Sequence, residues 1–205
     1  MEPYVINIGR SLGSGGRCIG HILAKDLGIT YYDREILMLA AKESGFRPEI
    51  FERHDEKNNF FDTFGSMIPF LGGSQSFYVN ELSNENLFRI QSEAIRKAAQ
   101  KESCIFIGRC ADYVLRDYKR CVNVFITADT KDRIKQVCES TQCTEEEAAD
   151  IINKADKERA DYYNFFSNGR WGYARTYDLC INSSILGMEK TAEFIEQFVR
   201  TKFNF

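Results

Sequence analysis

The feature that most constrains this chain is the glycine-rich segment GRSLGSGGRC at residues 9–18. An apolar, β-branched run at 4–8 precedes it and predicts a buried strand, while apolar residues at helical spacing follow it until Gly28. The segment therefore joins a strand to a helix. Its glycines permit positive φ, its amides can form an anion nest, and the helix terminus adds about half a positive charge. Together these properties predict a phosphate-binding loop.

The loop departs from the common pattern G-x-x-x-x-G-K-[ST] at three positions. Ser11 replaces the first glycine, Arg17 replaces the lysine and Cys18 replaces the magnesium-binding hydroxyl. Arginine can still bridge phosphate oxygens, whereas a thiol is a poor ligand for a hard cation. The predicted nucleotide-binding residues are Ser11, Gly13, Ser14, Gly15, Gly16, Arg17 and Cys18. The alternative interpretation is a glycine-rich turn that binds no ligand.

Strand and helix patterns alternate along the chain, which predicts a parallel sheet flanked by helices. The predicted strands cover 4–8, 29–32, 104–107, 121–126 and 179–181. The predicted helices cover 18–27, 36–45, 86–101, 144–166 and 188–202. Thr144 and the acidic residues after it are typical of a helix start. The length of 205 residues suits one domain, 1–205.

Residues 57–79 interrupt this alternation with six aromatic side chains among glycines and serines. The segment is too apolar for a disordered linker and too irregular for a long helix, so we expect it to pack as a mobile flap over a site. A loop that simply covers the core is the alternative.

Composition excludes several classes of function. The net charge of −3 gives no positive field for nucleic acid. Glu2 stands where a signal peptide would carry positive charge, and no apolar run approaches the roughly 18 residues of a membrane span. The seven cysteines form no CxxC pair, and neither histidine has ligands at zinc spacing. We therefore expect a cytoplasmic protein with reduced thiols, no built-in metal site, no nucleic-acid partner and no membrane partner.

Four segments resemble the cytidylate kinase-like family of P-loop phosphotransferases: GRSLGSGGRCIG, LGITYYDREIL, FIGRCADYVL and ADKERADYYNFFSNGRWGYARTYDLCINSS. The resemblance implies an α/β fold, a P-loop three-layer α/β/α architecture with a doubly wound, five-stranded parallel sheet. It also implies an acceptor-binding insert at about 45–85 and a helical lid at about 150–176. The implied cofactors are ATP and Mg²⁺, and the implied partners are a nucleoside triphosphate donor and a small-molecule acceptor.

The resemblance assigns roles to residues outside the loop. Asp33 and Arg109, each directly after a predicted strand or its glycine, would bind the acceptor; capping of a helix is the alternative for Asp33. Arg159 and Arg170 would join Arg17 in stabilising the transferred charge. The alternative for Arg159 is an ordinary surface pair with Asp156, three residues earlier. An aspartate follows the arginine in authentic cytidylate kinases, whereas Cys110 stands there in this chain and Asp112 comes two residues later.

The sequence thus favours an ATP-dependent phosphotransferase that acts on CMP or another small acceptor. Arg17 and Cys18 motivate an alternative, an inactive nucleotide- or phosphate-binding sensor of the same fold. A dinucleotide-binding protein fits less well, because the glycine spacing is wrong and no ribose-binding acid follows at the usual distance.

Overall fold

The computed structural model describes residues 2–33 and 81–205, with 81–84 as backbone only. Its strands are β1 (Val5–Arg10), β2 (Thr30–Tyr32), β3 (Cys104–Ile107), β4 (Cys121–Thr127) and β5 (Leu179–Asn182). Its helices are α1 (Gly16–Leu27), α2 (Glu81–Lys101), α3 (Ala111–Val114), α4 (Thr130–Thr141), α5 (Glu145–Ser167) and α6 (Ser183–Phe203), with a 3₁₀ turn at Ala174–Thr176. The predicted helix at 36–45, the flap at 57–79 and most of the acceptor-binding insert lie outside the described residues.

The five strands form one parallel sheet in the order β2-β3-β1-β4-β5. This confirms the predicted doubly wound α/β fold. The strand order reverses at β1, since the chain extends the sheet first on the β3 side and then on the β4 side. In open parallel sheets, ligands bind beyond the carboxyl ends of the strands at such a reversal. The glycine-rich loop follows β1, so it lies at the position where this fold binds ligands.

Helices cover both faces of the sheet because the strands are apolar on both sides. On one face, Ile6 and Ile8 pack with Leu23 of α1 and Ile195 of α6. On the other face, Phe106 packs with residues of α2 and α3, among them Ile95 and Val114. Fully burying an isoleucine stabilises the fold by about 1.5–3 kcal/mol. The two layers of helices therefore hold the sheet rigid beneath its carboxyl edge.

Local sequence signals explain where two helices begin or end. Gly28 ends α1 in a left-handed conformation, with φ 63°, and its N–H donates to the carbonyls of Ala24 and Lys25. Thr144 begins α5 with a capping box, in which its side chain accepts from the Glu147 N–H and the Glu147 carboxylate accepts from the Thr144 N–H. Both boundaries agree with the sequence prediction.

Other parts of the fold differ from the prediction. The helix α4 was not expected, because it has few apolar residues and most of its surface is polar. The last helix begins at Ser183 instead of 188, but Gly187 has non-helical angles (φ 76°, ψ 171°), so regular helix resumes near the predicted start. All seven cysteines are free thiols. In the part of the chain that the structure covers, no helix has the length and apolar character that a membrane span requires.

Candidate functional site

The phosphate loop, residues 11–17, takes its shape from two glycines. Gly13 and Gly15 have φ values of 77° and 72°, a region that side chains strongly disfavour. A Cβ at Gly13 would lie 2.7 Å from the Arg133 carbonyl oxygen, and a Cβ at Gly15 would lie 2.9 Å from Cε of Met188. Gly13 therefore requires glycine for both conformation and space, because the near atoms are backbone, whereas Gly15 requires it mainly for conformation, because the Met188 side chain can shift.

The loop leads directly into the amino terminus of α1. Gly15 is the N-cap residue, and no side chain among the described residues caps the helix. An uncapped first turn presents backbone N–H groups and a partial positive charge to a ligand. This arrangement can bind an anion such as phosphate.

Hydrogen bonds to neighbouring elements fix the interior of the loop. The Ser11 N–H donates to the Ile126 carbonyl at 3.0 Å, and the Ser14 hydroxyl donates to the Ser11 carbonyl at 2.9 Å. The Ser183 hydroxyl donates to the Ser14 carbonyl at 2.8 Å. Ser11 and Ser14 therefore shape the loop, and their predicted contact with a nucleotide stays a prediction.

Asp156, on α5, fastens the amino end of the loop. Its carboxylate accepts from the Leu12 N–H at 2.8 Å and from the guanidinium of Arg133, which in turn donates through Nε to the Leu12 carbonyl at 2.7 Å. Sequence reasoning missed this role and treated Asp156 only as a surface partner of Arg159. The sequence signal was weak, because Leu12, Arg133 and Asp156 lie far apart along the chain.

Four arginines lie around the carboxyl end of β1: Arg10, Arg17, Arg109 and Arg159. Arg159 donates to the Arg10 carbonyl oxygen at 3.3 Å and lies 3.6 Å from the Asp156 carboxylate. Burial is the main cause that lowers the pKa of Arg159; the Asp156 carboxylate opposes it, and the charges of Arg109, Arg133 and Arg17 add to the lowering. The Asp156 pair expected as the alternative is thus present, but it is largely buried beside the loop instead of lying on an open surface.

Arg17 and Asp33 are brought together by the structure. The Arg17 guanidinium donates to the Asp33 carboxylate at 2.7 Å, and Asp33 is only 8% exposed. Burial acts to lower the pKa of Arg17, but hydrogen bonds to Tyr31 and Asp33 raise it above its ordinary value. One ion pair therefore joins a predicted donor-binding residue to a predicted acceptor-binding residue.

Arg109 lies in an unusual backbone segment after β3. Gly108, Arg109 and Cys110 have consecutive φ values of 70°, 60° and 54°. Non-glycine residues in this region cost about 1–3 kcal/mol each and cluster at functional sites. The Arg109 guanidinium lies 5.5 Å from the centre of the Tyr162 ring. The strained backbone thus directs a cation towards the edge of the sheet that carries the phosphate loop.

Two predicted site residues are less enclosed. Arg170 is exposed, and its guanidinium lies 5.7 Å from the centre of the Tyr173 ring. Cys18 is exposed in the first turn of α1. The roles assigned to both stay predictions. Among residues 2–33 and 81–205, no three His, Cys, Asp or Glu side chains gather as a metal site would require.

The sequence matches the model of the cytidylate kinase-like family over residues 5–185. The chain belongs to the cytidylate kinase-like family. Its fold is also similar to solved structures. An uncharacterized protein from Eubacterium ventriosum ATCC 27560 is 27% identical, with a TM-score of 0.71, over 96% of this chain and 98% of that one.

Shikimate kinases share the fold of this cytidylate kinase-like protein at low identity. The enzyme from Acinetobacter baumannii, in complex with shikimate, is 13% identical with a TM-score of 0.53, over 98% of this chain and 95% of that one. The enzyme from Bacteroides thetaiotaomicron is 12% identical with a TM-score of 0.54, over 98% and 99%. No curated protein matches at a significant level.

Asp112 lies in the short helix α3, three residues after Arg109. Its carboxylate accepts a hydrogen bond from the Tyr163 hydroxyl at 2.6 Å and borders a cavity of about 270 Å³ that Ser167 and Thr176 also line. Burial raises the pKa of Asp112. The Tyr163 hydroxyl therefore already occupies one hydrogen-bonding position of this carboxylate.

Proposed function

We propose that this protein transfers the terminal phosphoryl group of a nucleoside triphosphate to a small acceptor, CMP or another anionic or hydroxylic metabolite. One observation carries the proposal: an uncapped glycine loop and four arginines meet at the carboxyl edge of a doubly wound sheet. Phosphoryl transfer depends mainly on positioning and charge stabilisation. Those are the two properties that this edge supplies.

The donor would bind through its phosphates to the backbone N–H groups of the loop and the first turn of α1. Arg17 would exchange Asp33 for phosphate oxygens, since its side chain is 37% exposed and reachable. Ile185 and Leu186 are exposed and follow Ser183, which is hydrogen-bonded to the loop. These apolar side chains offer a surface for the base of the nucleotide.

The acceptor would lie on the other side of the loop, between Asp33 and Arg109. Asp33 would accept a hydrogen bond from an acceptor hydroxyl once Arg17 turns to the donor. Arg109 would bind an acceptor phosphate, while the Tyr162 ring beside it offers a stacking surface. Both residues follow strands that end at the same edge, which supports a shared substrate.

Charge stabilisation would come from Arg159. Negative charge moves towards the bridging and leaving oxygens as the bond to phosphorus breaks, and a fixed guanidinium there stabilises the transition state more than the ground state. The carbonyl of Arg10 and the Asp156 carboxylate orient the Arg159 guanidinium. No protein nucleophile is needed for in-line transfer.

The fit of the two cofactors differs. The loop accommodates a triphosphate, whereas Cys18 gives magnesium no hard ligand and Asp33, once Arg17 leaves it, would accept a hydrogen bond from the acceptor. When bound to the nucleotide, Mg²⁺ neutralises phosphate charge; phosphates and water would be its main ligands. The roles proposed for Arg17, Asp33, Arg109 and Arg159 do not depend on Mg²⁺.

The test is a screen for acceptor-stimulated ADP release with ATP and Mg²⁺, over nucleoside monophosphates and common small metabolites. We expect at least one acceptor to stimulate release. A Gly13→Ala variant, whose new Cβ would collide with the Arg133 carbonyl, should lose that activity, while Arg116→Ala at an exposed site should retain it. Absence of stimulation by every acceptor would contradict the proposal.

The alternative is a sensor that binds nucleotide without turnover, and the unusual Arg17 and Cys18 favour it. Saturable ATP binding by calorimetry, combined with no ADP release for any acceptor, would support the sensor. Acceptor-dependent release at a rate that scales with enzyme concentration would exclude it.

A further inference from the structure

Arg10 is a charged residue at the last position of β1, and two glycines make room for it. A Cβ on Gly16 would lie 2.6 Å from Cβ of Arg10, and a Cβ on Gly108 would collide with its guanidinium. The side chain therefore passes beneath the phosphate loop towards the end of β3. Gly16 and Gly108 leave the space that it occupies.

The described residues around Arg10 do not balance its charge. Its Nε is buried and has no hydrogen-bond partner, and no carboxylate of the described residues forms an ion pair with it. Burial lowers its pKa well below the ordinary value, and the charges of Arg159, Arg109 and Arg17 lower it further, against a smaller opposing effect of Tyr31.

Two carboxylates of the described residues bind the arginines around Arg10 and not Arg10 itself. Asp156 binds Arg133 and Arg159, and Asp33 binds Arg17. An uncompensated buried charge is costly, and its removal usually stabilises a protein unless a partner arrives. A bound anion would supply that partner for Arg10.

The direction of the side chain separates this position from the donor phosphates. In the proposed function the donor lies on the α6 side of the loop, where Ser183 donates to the Ser14 carbonyl and the Met188 side chain lies beside Gly15. Arg10 instead extends to Gly108, next to Arg109, on the β3 side of β1. An anion bound there would be distinct from the phosphates held by the loop.

We infer that Arg10 binds an anionic group, a phosphate or a carboxylate, on the acceptor, together with its neighbour Arg109. The inference rests on the proposed function, because it takes the molecule bound at Arg10 to be the phosphoryl acceptor. It restricts that acceptor to molecules that already carry a negative charge. Arg10 is then a specificity-determining residue: a neutral hydroxylic compound would leave its guanidinium unpaired.

The experiment measures inorganic phosphate binding to protein saturated with a non-hydrolysable ATP analogue, by thermal shift and calorimetry at constant ionic strength with chloride as the reference anion. The wild-type protein should bind phosphate saturably in addition to the analogue. If the analogue abolishes phosphate binding, the donor loop is the anion site and the inference is wrong. This measurement needs no variant and no turnover.

Arg10→Gln should weaken that phosphate binding at least tenfold, as expected for loss of a charge-assisted hydrogen bond, and change the affinity for the ATP analogue less than threefold. Arg120→Gln is a matched control. Arg120 also has a buried Nε without a partner, but it lies over the Phe203 ring at the opposite edge of the sheet. It should leave phosphate binding unchanged.

Arg10→Lys keeps the positive charge but removes the planar guanidinium, so this variant should bind phosphate with intermediate affinity. It replaces Arg10→Gln in the experiment if the Gln variant does not fold. Unchanged phosphate affinity in a folded Arg10 variant would overturn the inference, and so would an equal loss of affinity for phosphate and the ATP analogue. An intact second anion site without any ADP release would instead contradict only the proposed function.

Discussion

At its amino end the phosphate loop is fastened by Asp156 and Arg133, whereas at its carboxyl end Arg17 is held by Asp33. The side chains of Arg133 and Asp156 are 13% and 18% exposed, and both also bind the backbone of Leu12. The side chain of Arg17 is 37% exposed, and its ion pair is with the carboxylate of Asp33, which follows β2, and not with the backbone of the loop. The first pair fixes a backbone, while the second pair can open to a ligand.

Exposure and backbone hydrogen bonding separate structural ion pairs from functional ones more clearly than the distance between the charged groups does. An ion pair that also satisfies buried backbone groups has no second state available, because removing either partner leaves polar groups unpaired. An ion pair at an accessible position can exchange one anion for another at small cost. Substitutions at the two ends of the loop should therefore have different effects, on stability at the amino end and on ligand binding at the carboxyl end.

Breaking the amino end should have the largest effect. Asp156→Ala removes the acceptor of the Leu12 N–H and leaves the charges of Arg133 and Arg159 without a carboxylate. The free energy of unfolding should fall by about 3 kcal/mol, measured by urea denaturation. Asp150→Ala, at an exposed site on the same helix, should change it by less than about 0.5 kcal/mol. Equal stabilities of the two variants would mean that Asp156 does not fasten the loop.

Arg159 lies between the two ends and should separate chemistry from binding. Arg159→Ala should lower kcat and kcat/KM together about a hundredfold, with little change in ATP affinity, since its contact with the reacting group strengthens only in the transition state. Lys135→Ala, at an exposed site on α4 outside the expected lid, is the steady-state control. A wild-type kcat would remove Arg159 from the mechanism and make Arg170 the next candidate.

Opening the carboxyl end should affect the donor. Arg17→Ala should weaken ATP binding by about 1.5–3 kcal/mol, the range for hydrogen bonds to charged groups, as measured by calorimetry. Asp33→Asn frees Arg17 from its ion pair, so its ATP affinity should equal or exceed that of wild type. If both variants lose ATP affinity equally, the pair acts as a fixed structural unit like the one at the amino end.

The smallest effect is expected at Cys18. Cys18→Ser supplies a hydroxyl for a hard cation and should raise Mg²⁺-dependent turnover by about two- to fivefold, with a stability change within about 0.5 kcal/mol because the residue is exposed. Cys18→Ala should show no gain in a magnesium titration. A collapse of activity in the serine variant would show that the thiol packs against something essential.

Local patterns predicted the elements that local interactions determine. The apolar run of β1, the stop at Gly28 and the capping box at Thr144 depend on neighbouring residues, so the sequence shows them directly. The short helix α3 and the polar helix α4 escaped prediction because neither has a clear apolar period. The glycine loop was predicted because its signal is a local spacing of glycines between a strand and a helix.

The rest of the site depends on contacts between distant residues. Asp156 meets Leu12 across 144 positions, and Arg133 meets it across 121. Arg10 could be noticed as a charge at the end of a buried strand, but its unpaired state depends on where Asp33 and Asp156 already bind. Such information is a property of the folded chain and cannot be read from spacing.

The central position of β1 has a consequence for synthesis on the ribosome. This strand is made first, yet its partners are β3 and β4, which begin at Cys104 and Cys121. The loop that follows it gains its last contacts only from Asp156 and Ser183. The nascent chain therefore carries an apolar strand and an unformed loop until Ser183 has emerged. During that interval the exposed edges of β1 are open to wrong pairing, and assistance from chaperones would matter most then.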